Sequence, residues 1–216
     1  MTTDIRKQVP ALLTPVVQAY ERRLKRHGAS PKGVYWRDAE WQQRRYHLLY
    51  EIFDEVAEAG GITIHDFGCG YGALFDFLKD RPVMHRSRYI GTDMCRGMVE
   101  TAAARIDDSR ASFVRQLWAG EVADFTIVSG TYNMHINAPL DTWKAYIEAS
   151  LEQLWTRTRR GLAFNLLNAD TPEKFDGLYY AEPEQVFDFC ATRLTSNVTI
   201  SIDPPLPDFT VFVKRG

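Results

Sequence analysis

The segment Ile62-Thr63-Ile64-His65-Asp66-Phe67-Gly68-Cys69-Gly70-Tyr71-Gly72 constrains this chain more than any other stretch. Apolar and polar residues alternate over 62–67, the period of a half-buried strand. The run meets an acid, Asp66, and then glycines at every second position, Gly68, Gly70 and Gly72. A helical stretch from Ala73 to Lys79 follows. A strand that turns into a helix on glycines presents bare backbone to a ligand, and the helix N-terminus adds unpaired N–H groups. Such a turn predicts a nucleotide pocket at the edge of an α/β sheet.

The flanking pattern agrees. Strands are predicted over 62–67, 88–92, 112–117, 124–129, 161–167, 197–203 and 208–214, and helices over 72–80, 95–106, 141–159 and 183–192. Alternation at this spacing implies a Rossmann-like, mostly parallel, seven-stranded sheet covered on both faces. The last two strands are joined through Pro204-Pro205-Leu206-Pro207, too short for a crossover helix, so they form an antiparallel hairpin at the sheet edge. Two helices precede the sheet. One runs from about Pro10 to Arg26, with Leu13, Val16, Val17, Tyr20 and Leu24 on one stripe. Asp38 can cap the other, which runs to about Ala59 and stops at Gly60-Gly61. These helices have no position in the sheet itself. They suggest an N-terminal helical cap over 1–60 in front of a sheet domain over 61–216, the whole forming one compact unit.

Composition narrows the partners. The chain has 216 residues, enough for one core, and a net charge of -2, which gives no general attraction to nucleic acid or to an anionic membrane. Met1-Thr2-Thr3-Asp4 lacks the apolar stretch of a signal peptide, and no apolar run approaches the ~20 residues of a membrane span. Cys69, Cys95 and Cys190 lie singly, without metal-ligand spacing. A reduced, cytoplasmic setting with no structural metal is expected.

Two nucleotide families compete for the glycine turn. Gly68-x-Gly70-x-x-Ala73 formally satisfies the dinucleotide fingerprint. However, Asp66 stands where it would repel a pyrophosphate, and Gly72 extends the glycines in a way that better suits a zwitterionic tail. The next strand ends in Ile90-Gly91-Thr92-Asp93. A carboxylate there can accept hydrogen bonds from both hydroxyls of a ribose, in NAD or in S-adenosylmethionine alike. Asp93 could instead only cap the helix that starts near Arg96.

Taken together, Asp66-x-Gly68-x-Gly70-x-Gly72, Asp93 and Asp124-Phe125-Thr126-Ile127-Val128-Ser129-Gly130 resemble the successive motifs of the Rossmann-like (class I) S-adenosylmethionine-dependent methyltransferases. The terminal hairpin matches the reversed last strand of that fold. Trp36, Gln42-x-x-Arg45-Tyr46, Ser129-Gly130-Thr131-Tyr132-Asn133, Ala163-Phe164-Asn165 and Leu178-Tyr179-Tyr180 are similar to a subgroup of small bacterial enzymes often found with specialised-metabolite or polysaccharide genes. The resemblance implies that Gly68, Gly70 and Gly72 hold the methionine portion while Asp66 reaches its ammonium. It implies that Asp93, with Met94 beside it, grips the ribose. Gln116 and Leu117 would edge the adenine, and Ser129 and Gly130 would lie under the methionine chain or sulfonium. His65, Thr92 and Met134-His135-Ile136-Asn137 depart from the pattern.

Other candidates follow from chemistry. A sulfonium cannot donate hydrogen bonds, and aromatic faces hold such a cation with about 2 kcal/mol when desolvated. Tyr71, Tyr132, Tyr179 and Tyr180 are placed to supply them, the last two on a lid-like segment with Pro172 and Gly177. The cap would set Trp36, Arg45 and Tyr46 over the pocket, where Arg45 could clamp a carboxylate or instead form an interhelical ion pair. His135 is the candidate general base, with a structural histidine as its alternative, whereas His65 should face away from the pocket. In-line methyl transfer depends mainly on positioning, which can supply ~7–11 kcal/mol. The expected activity is therefore methyl transfer to a small metabolite. Alternatives are cyclisation of S-adenosylmethionine to azetidine-2-carboxylate with release of methylthioadenosine, an inactive cofactor-binding interaction protein, and an NAD-dependent enzyme.

Overall fold

A computed structural model describes residues 4–216. Helix α1 (Ile5–His27) starts where the Asp4 carboxylate accepts the Arg6 N–H, and it stops at Gly28, whose φ of 66° is open to glycine. A 3-10 turn (Pro31–Val34) leads to helix α2 (Ala39–Tyr50), whose first turn is capped by Asp38 on the Trp41 N–H at 2.8 Å. Helix α2 ends well short of Ala59. The chain tightens into a 3-10 turn over Glu51–Phe53, which still buries Ile52 and Phe53, with Val56 buried just beyond it.

The remaining elements are β1 (Thr63–Phe67), α3 (Ala73–Leu78), β2 (Arg88–Asp93), α4 (Arg96–Arg105), β3 (Ala111–Arg115), β4 (Ala123–Val128), α5 (Leu140–Thr156), β5 (Thr158–Asn168), β6 (Tyr180–Ala181), α6 (Pro183–Arg193), β7 (Val198–Ile202) and β8 (Asp208–Lys214). The sheet runs β3-β2-β1-β4-β5-β8-β7, parallel through β5 and antiparallel across β8 and β7. Among the described residues it has eight strands, not the seven expected, because β6 pairs with the last residues of β5, Tyr180 opposite Leu167. Two residues are too few to show a period, so the pattern gave no sign of it.

Each face of the sheet carries its own core. On one, Phe67, Val128 and Phe164 pack with Trp143 and Leu154 of α5 and with Val9, Leu13 and Val16 of α1. On the other, Ile64, Tyr89 and Phe125 pack with Phe75 and Leu78 of α3 and with Tyr46 and Leu49 of α2. Each such buried side chain contributes roughly 1.5–3 kcal/mol. Helices α1 and α2 therefore straddle the sheet and contribute to its two cores. Between them they close over the carboxyl ends of the strands, the edge at which open α/β sheets bind ligands.

Candidate active site

A cleft with about 970 Å³ of space not filled by protein opens at that edge. Of the expected cofactor residues, Asp66, Gly68, Gly70, Tyr71, Asp93, Met94, Gln116, Leu117, Ser129 and Gly130 all line it. Trp36 and Tyr46, expected from the cap, line it too.

Its floor is fixed by backbone. The N–H groups of Gly68 and Cys69 both donate to the Thr92 carbonyl, at 2.7 and 3.0 Å, tying the end of β1 to the end of β2. Gly68 has a φ of 82°, and a Cβ there would lie 2.1 Å from Thr131 Oγ1. That hydroxyl donates to the Phe67 carbonyl at 3.0 Å, so the turns after β1 and β4 touch with no room for a side chain. Asp93 joins the loops: one oxygen accepts the Gly70 N–H at 2.9 Å and the other the Cys95 N–H at 2.7 Å. It thus ties the glycine turn to the residue before helix α4, which has no side-chain cap of its own, and lines the cleft at once.

The electrostatics of the floor are unbalanced. Burial pushes the Asp66 carboxyl up to about 7, against a hydrogen bond from the Tyr89 hydroxyl and with a push from Asp93. Burial also raises Asp93, opposed by the N–H groups of Cys95, Gly70 and Met94. Among the described residues lining the cleft there is no Lys, Arg or His. Two acids in one hollow without a cation form a site that favours a positively charged ligand. Ser129 Oγ, at the end of β4, is buried without a hydrogen-bond partner. Such an orphan costs roughly 1–3 kcal/mol unless something fills the hollow it faces.

Several expected residues lie elsewhere. Gly72 does not line the cleft. Its φ of 84° makes the turn into α3, and a Cβ there would meet Ile106 Cδ1 at 2.5 Å, so its role is packing. Arg45 is 3% exposed and grips Asp208 with both arms, Nε to Oδ2 at 2.7 Å and Nη2 to Oδ1 at 2.6 Å, so its carboxylate partner belongs to the protein. Tyr132 is fully buried in the core, its hydroxyl 2.8 Å from Ser150 Oγ, and cannot reach a ligand. His135 is half-buried outside the cleft, its Nδ1–H donating to the Ala138 carbonyl at 2.9 Å, the structural alternative.

Tyr179 and Tyr180 are also displaced. Tyr179 lines a separate groove with Ile147, Leu166 and Phe189. The Tyr180 hydroxyl accepts the Phe175 N–H at 2.8 Å. The segment that carries them is pinned rather than lid-like. The Gly177 carbonyl accepts from His135 and Ile136, the Tyr179 N–H donates to Asn133, and β6 holds β5. His65 faces the opposite side of β1, as expected, with Nε2 2.8 Å from Thr92 Oγ1, and burial lowers it to about 4.

The structure adds residues that the sequence did not single out. Tyr20 of α1, Gln42 of α2, Thr131 and Tyr146 of α5 line the cleft. Gln42 is 5% exposed and accepts the Tyr71 hydroxyl at 3.2 Å, linking roof to floor. Tyr20 lay on an apolar stripe that reads the same whether it faces core or ligand. The polar Gln42, beside Tyr46 on a helix of the cap, was the one available signal.

A sheet of this order, with acids and glycine turns at its carboxyl edge, defines a Rossmann-like α/β fold with a cofactor cleft. No protein-family model matches the chain. It is 38% identical over 165 residues to Rv1506c of Mycobacterium tuberculosis (strain ATCC 25618 / H37Rv), a protein whose methyltransferase name is itself provisional; the match covers 74% of this chain and 98% of that one. Magnesium protoporphyrin IX methyltransferase (ChlM) from Synechocystis PCC 6803 has the same fold. With bound SAM it aligns at a TM-score of 0.63 and 14% identity, covering 100% of this chain and 99% of its own. With bound SAH the TM-score is 0.66 at 13% identity, covering 98% and 100%. The small RNA methyltransferase HEN1 aligns at 0.56 and 18% identity over 81% of this chain and 25% of its own. The chain belongs to the Rossmann-like, S-adenosylmethionine-dependent methyltransferases. Cyclisation, an inactive binding role and an NAD-dependent activity gain no support from these relatives.

Proposed function

We propose that the cleft binds S-adenosylmethionine on the floor formed by Asp66, Gly68, Gly70, Asp93, Met94, Gln116, Leu117, Ser129 and Gly130, and that the protein transfers its methyl group to a small metabolite. The observation that carries this reading is the pair of buried acids, Asp66 and Asp93, in a hollow with no cation among the described lining residues. The residues present fit the group. Gly68 and Gly70 present backbone to the cleft, and Ser129 Oγ, which also lines it, offers a polar atom without a partner.

When bound, the cofactor supplies an electrophilic methyl on a cationic sulfur. The chain's own residues do the rest. Asp66 neutralises the ammonium, and Asp93 accepts from the ribose while keeping its two backbone donors. Trp36, Tyr20, Tyr46, Tyr71 and Tyr146 exclude water and offer ring faces to a cation. His135 stands outside the cleft, so the nucleophile is one that is already neutral or that loses its proton to water. A nucleic-acid acceptor is disfavoured, because a polyanion binds through Lys and Arg and the cleft offers two acids instead.

The test is incubation with methyl-labelled S-adenosylmethionine and panels of small phenols, amines and carboxylic acids, with single-stranded RNA as a comparison. Label is expected on a neutral or cationic small molecule, with adenosylhomocysteine formed only when that acceptor is present. Transfer to RNA, or adenosylhomocysteine binding with no transfer across the panel, contradicts the proposal.

A further inference from the structure

Arg45 was expected over the ligand and lies behind the wall of the cleft instead, in a buried ion pair with the first residue of β8. Replacing such a pair by apolar groups is often neutral or stabilising, so stability alone does not explain its presence. Its neighbours do. The Arg45 guanidinium stacks on the Trp36 indole, 4.5 Å from the ring centroid, and its Nη1 donates to the Trp41 carbonyl at 3.0 Å. Asp208 Oδ2, which accepts from Arg45, also accepts from Asn165 Nδ2. Asn165 Oδ1 accepts the Gly130 N–H at 2.8 Å. The Trp36 ring in turn lies directly on Gly130, where a Cβ would fall 2.7 Å from Cζ2 and 2.8 Å from Cη2.

These contacts form a closed ring: Trp36 on Gly130, Gly130 to Asn165, Asn165 to Asp208, Asp208 to Arg45, and Arg45 back onto Trp36. It joins four distant parts of the chain. Only Trp36 and Gly130 line the cleft. Its charged and amide members are bonded to one another, with the Trp41 carbonyl taking the remaining Arg45 Nη1, and Arg45, Asn165 and Asp208 are 3%, 1% and 4% exposed. Removing one member leaves a buried charge or amide unpaired, so the ring is held or lost as a unit. By contrast, the neighbouring pair Arg44–Asp203 joins the same helix to the same hairpin at 2.6 Å but is a third exposed and touches neither Trp36 nor Gly130.

We propose that Arg45, Asp208 and Asn165 are positioning residues that lock the Trp36 indole onto Gly130, setting the width of the cleft between roof and floor where the cofactor's reacting end would lie. This rests on the cleft being the cofactor site. The charge of the pair provides direction: the bidentate fork fixes the plane of the guanidinium, and that plane fixes the indole stacked on it.

The test measures adenosylhomocysteine affinity by calorimetry and Gly130 amide exchange by NMR. In the wild type without ligand, the Gly130 amide is expected to be protected; rapid exchange would overturn the ring. Asp208→Asn and Trp36→Leu are each expected to weaken adenosylhomocysteine about tenfold, with the double variant little worse than either single one, since both break the same unit. Arg44→Gln is the control and should bind as the wild type does. If Asp208→Asn does not fold, Arg45→Lys decides: it keeps the charge but loses the fork, and the Gly130 amide should exchange faster while affinity falls. Wild-type affinity and Gly130 protection in a folded Arg45→Lys variant, or additive losses in the double variant, overturn the proposal. Failure of the wild type to bind adenosylhomocysteine would count against the cofactor reading, whereas Gly130 protection reports on the ring alone.

Discussion

The floor and the roof of the cleft are built by different means. The floor is strand ends and glycine turns, joined by the backbone hydrogen bonds of Gly68 and Cys69 to Thr92 and by the Gly70 N–H to the Asp93 carboxylate, and it has little freedom to differ from what it is. The roof is α1, α2 and the turn between them. It meets the floor through side chains: Val34 Cγ1 lies 3.3 Å from where a Cβ of Gly70 would be, Trp36 rests on Gly130, and Gln42 holds Tyr71. A floor made of backbone gives a fixed cradle for the invariant part of a cofactor. A roof that meets the floor through side chains can be changed at single contacts such as Gln42 to Tyr71, although its Trp36–Arg45 corner is held as a unit.

That contrast can be broken at several points, and the floor should give the larger effects. Gly68→Val is expected to be the most damaging single change. It forces a β-branched residue into a φ of 82° and drives it into Thr131, so adenosylhomocysteine binding should vanish and thermal stability should drop sharply in a melting experiment. A stable, binding-competent Gly68→Val protein would show that the floor is not a tight cradle.

Next comes Asp93→Ala, which removes the acceptor of the Gly70 and Cys95 N–H groups as well as the proposed ribose contact. Hydrogen bonds to a charged group contribute about 1.5–3 kcal/mol each, so affinity for adenosylhomocysteine should fall by about two orders of magnitude in calorimetry. A smaller loss than that of Asp208→Asn would reverse the ranking of floor over roof.

The third prediction uses pH. The Asp66 carboxyl titrates near 7 in the free protein, and a cationic ligand favours its ionised form. Below 7 the group must release a proton to bind, so affinity for S-adenosylmethionine should fall by up to about tenfold per unit as pH drops from 7 towards 5, and level off above 7. Asp66→Asn should bind more weakly at pH 8 and lose this slope. An identical slope in Asp66→Asn would place the ammonium elsewhere.

The smallest effect is expected in the roof. Gln42→Leu leaves the Tyr71 hydroxyl without its acceptor, and adenosylhomocysteine affinity should fall only about threefold. A loss as large as that of Asp93→Ala would mean that roof and floor are not separable.

The same division explains what the sequence revealed. Asp66, Gly68, Gly70 and Asp93 were legible because their placement follows from strand period and turn chemistry, both local, whereas Ser129 and Gly130 were singled out through the family resemblance. Gln116 and Leu117 were singled out through the same resemblance, at the end of the third strand. The roof was legible only as two amphipathic helices. The partner of Arg45 lies 163 residues along the chain, a distance at which spacing carries no information about contact. Tyr132 and His135 follow the fourth strand as ligand-binding residues often do, yet one turns into the core and the other onto its own loop, a choice made by the packing of Trp143 and Ser150. Tyr179 and Tyr180 were drawn away by β6, a strand too short to announce itself.

The most direct measurement is a crystal structure with adenosylhomocysteine bound. The amino-acid tail is expected along Gly68 and Gly70 with its ammonium facing Asp66, both ribose hydroxyls on Asp93, the adenine edge between Gln116 and Leu117, and Trp36 still seated on Gly130. Density for the nucleoside outside this hollow, or a ribose that leaves Asp93 untouched, would contradict the assignment of the cleft.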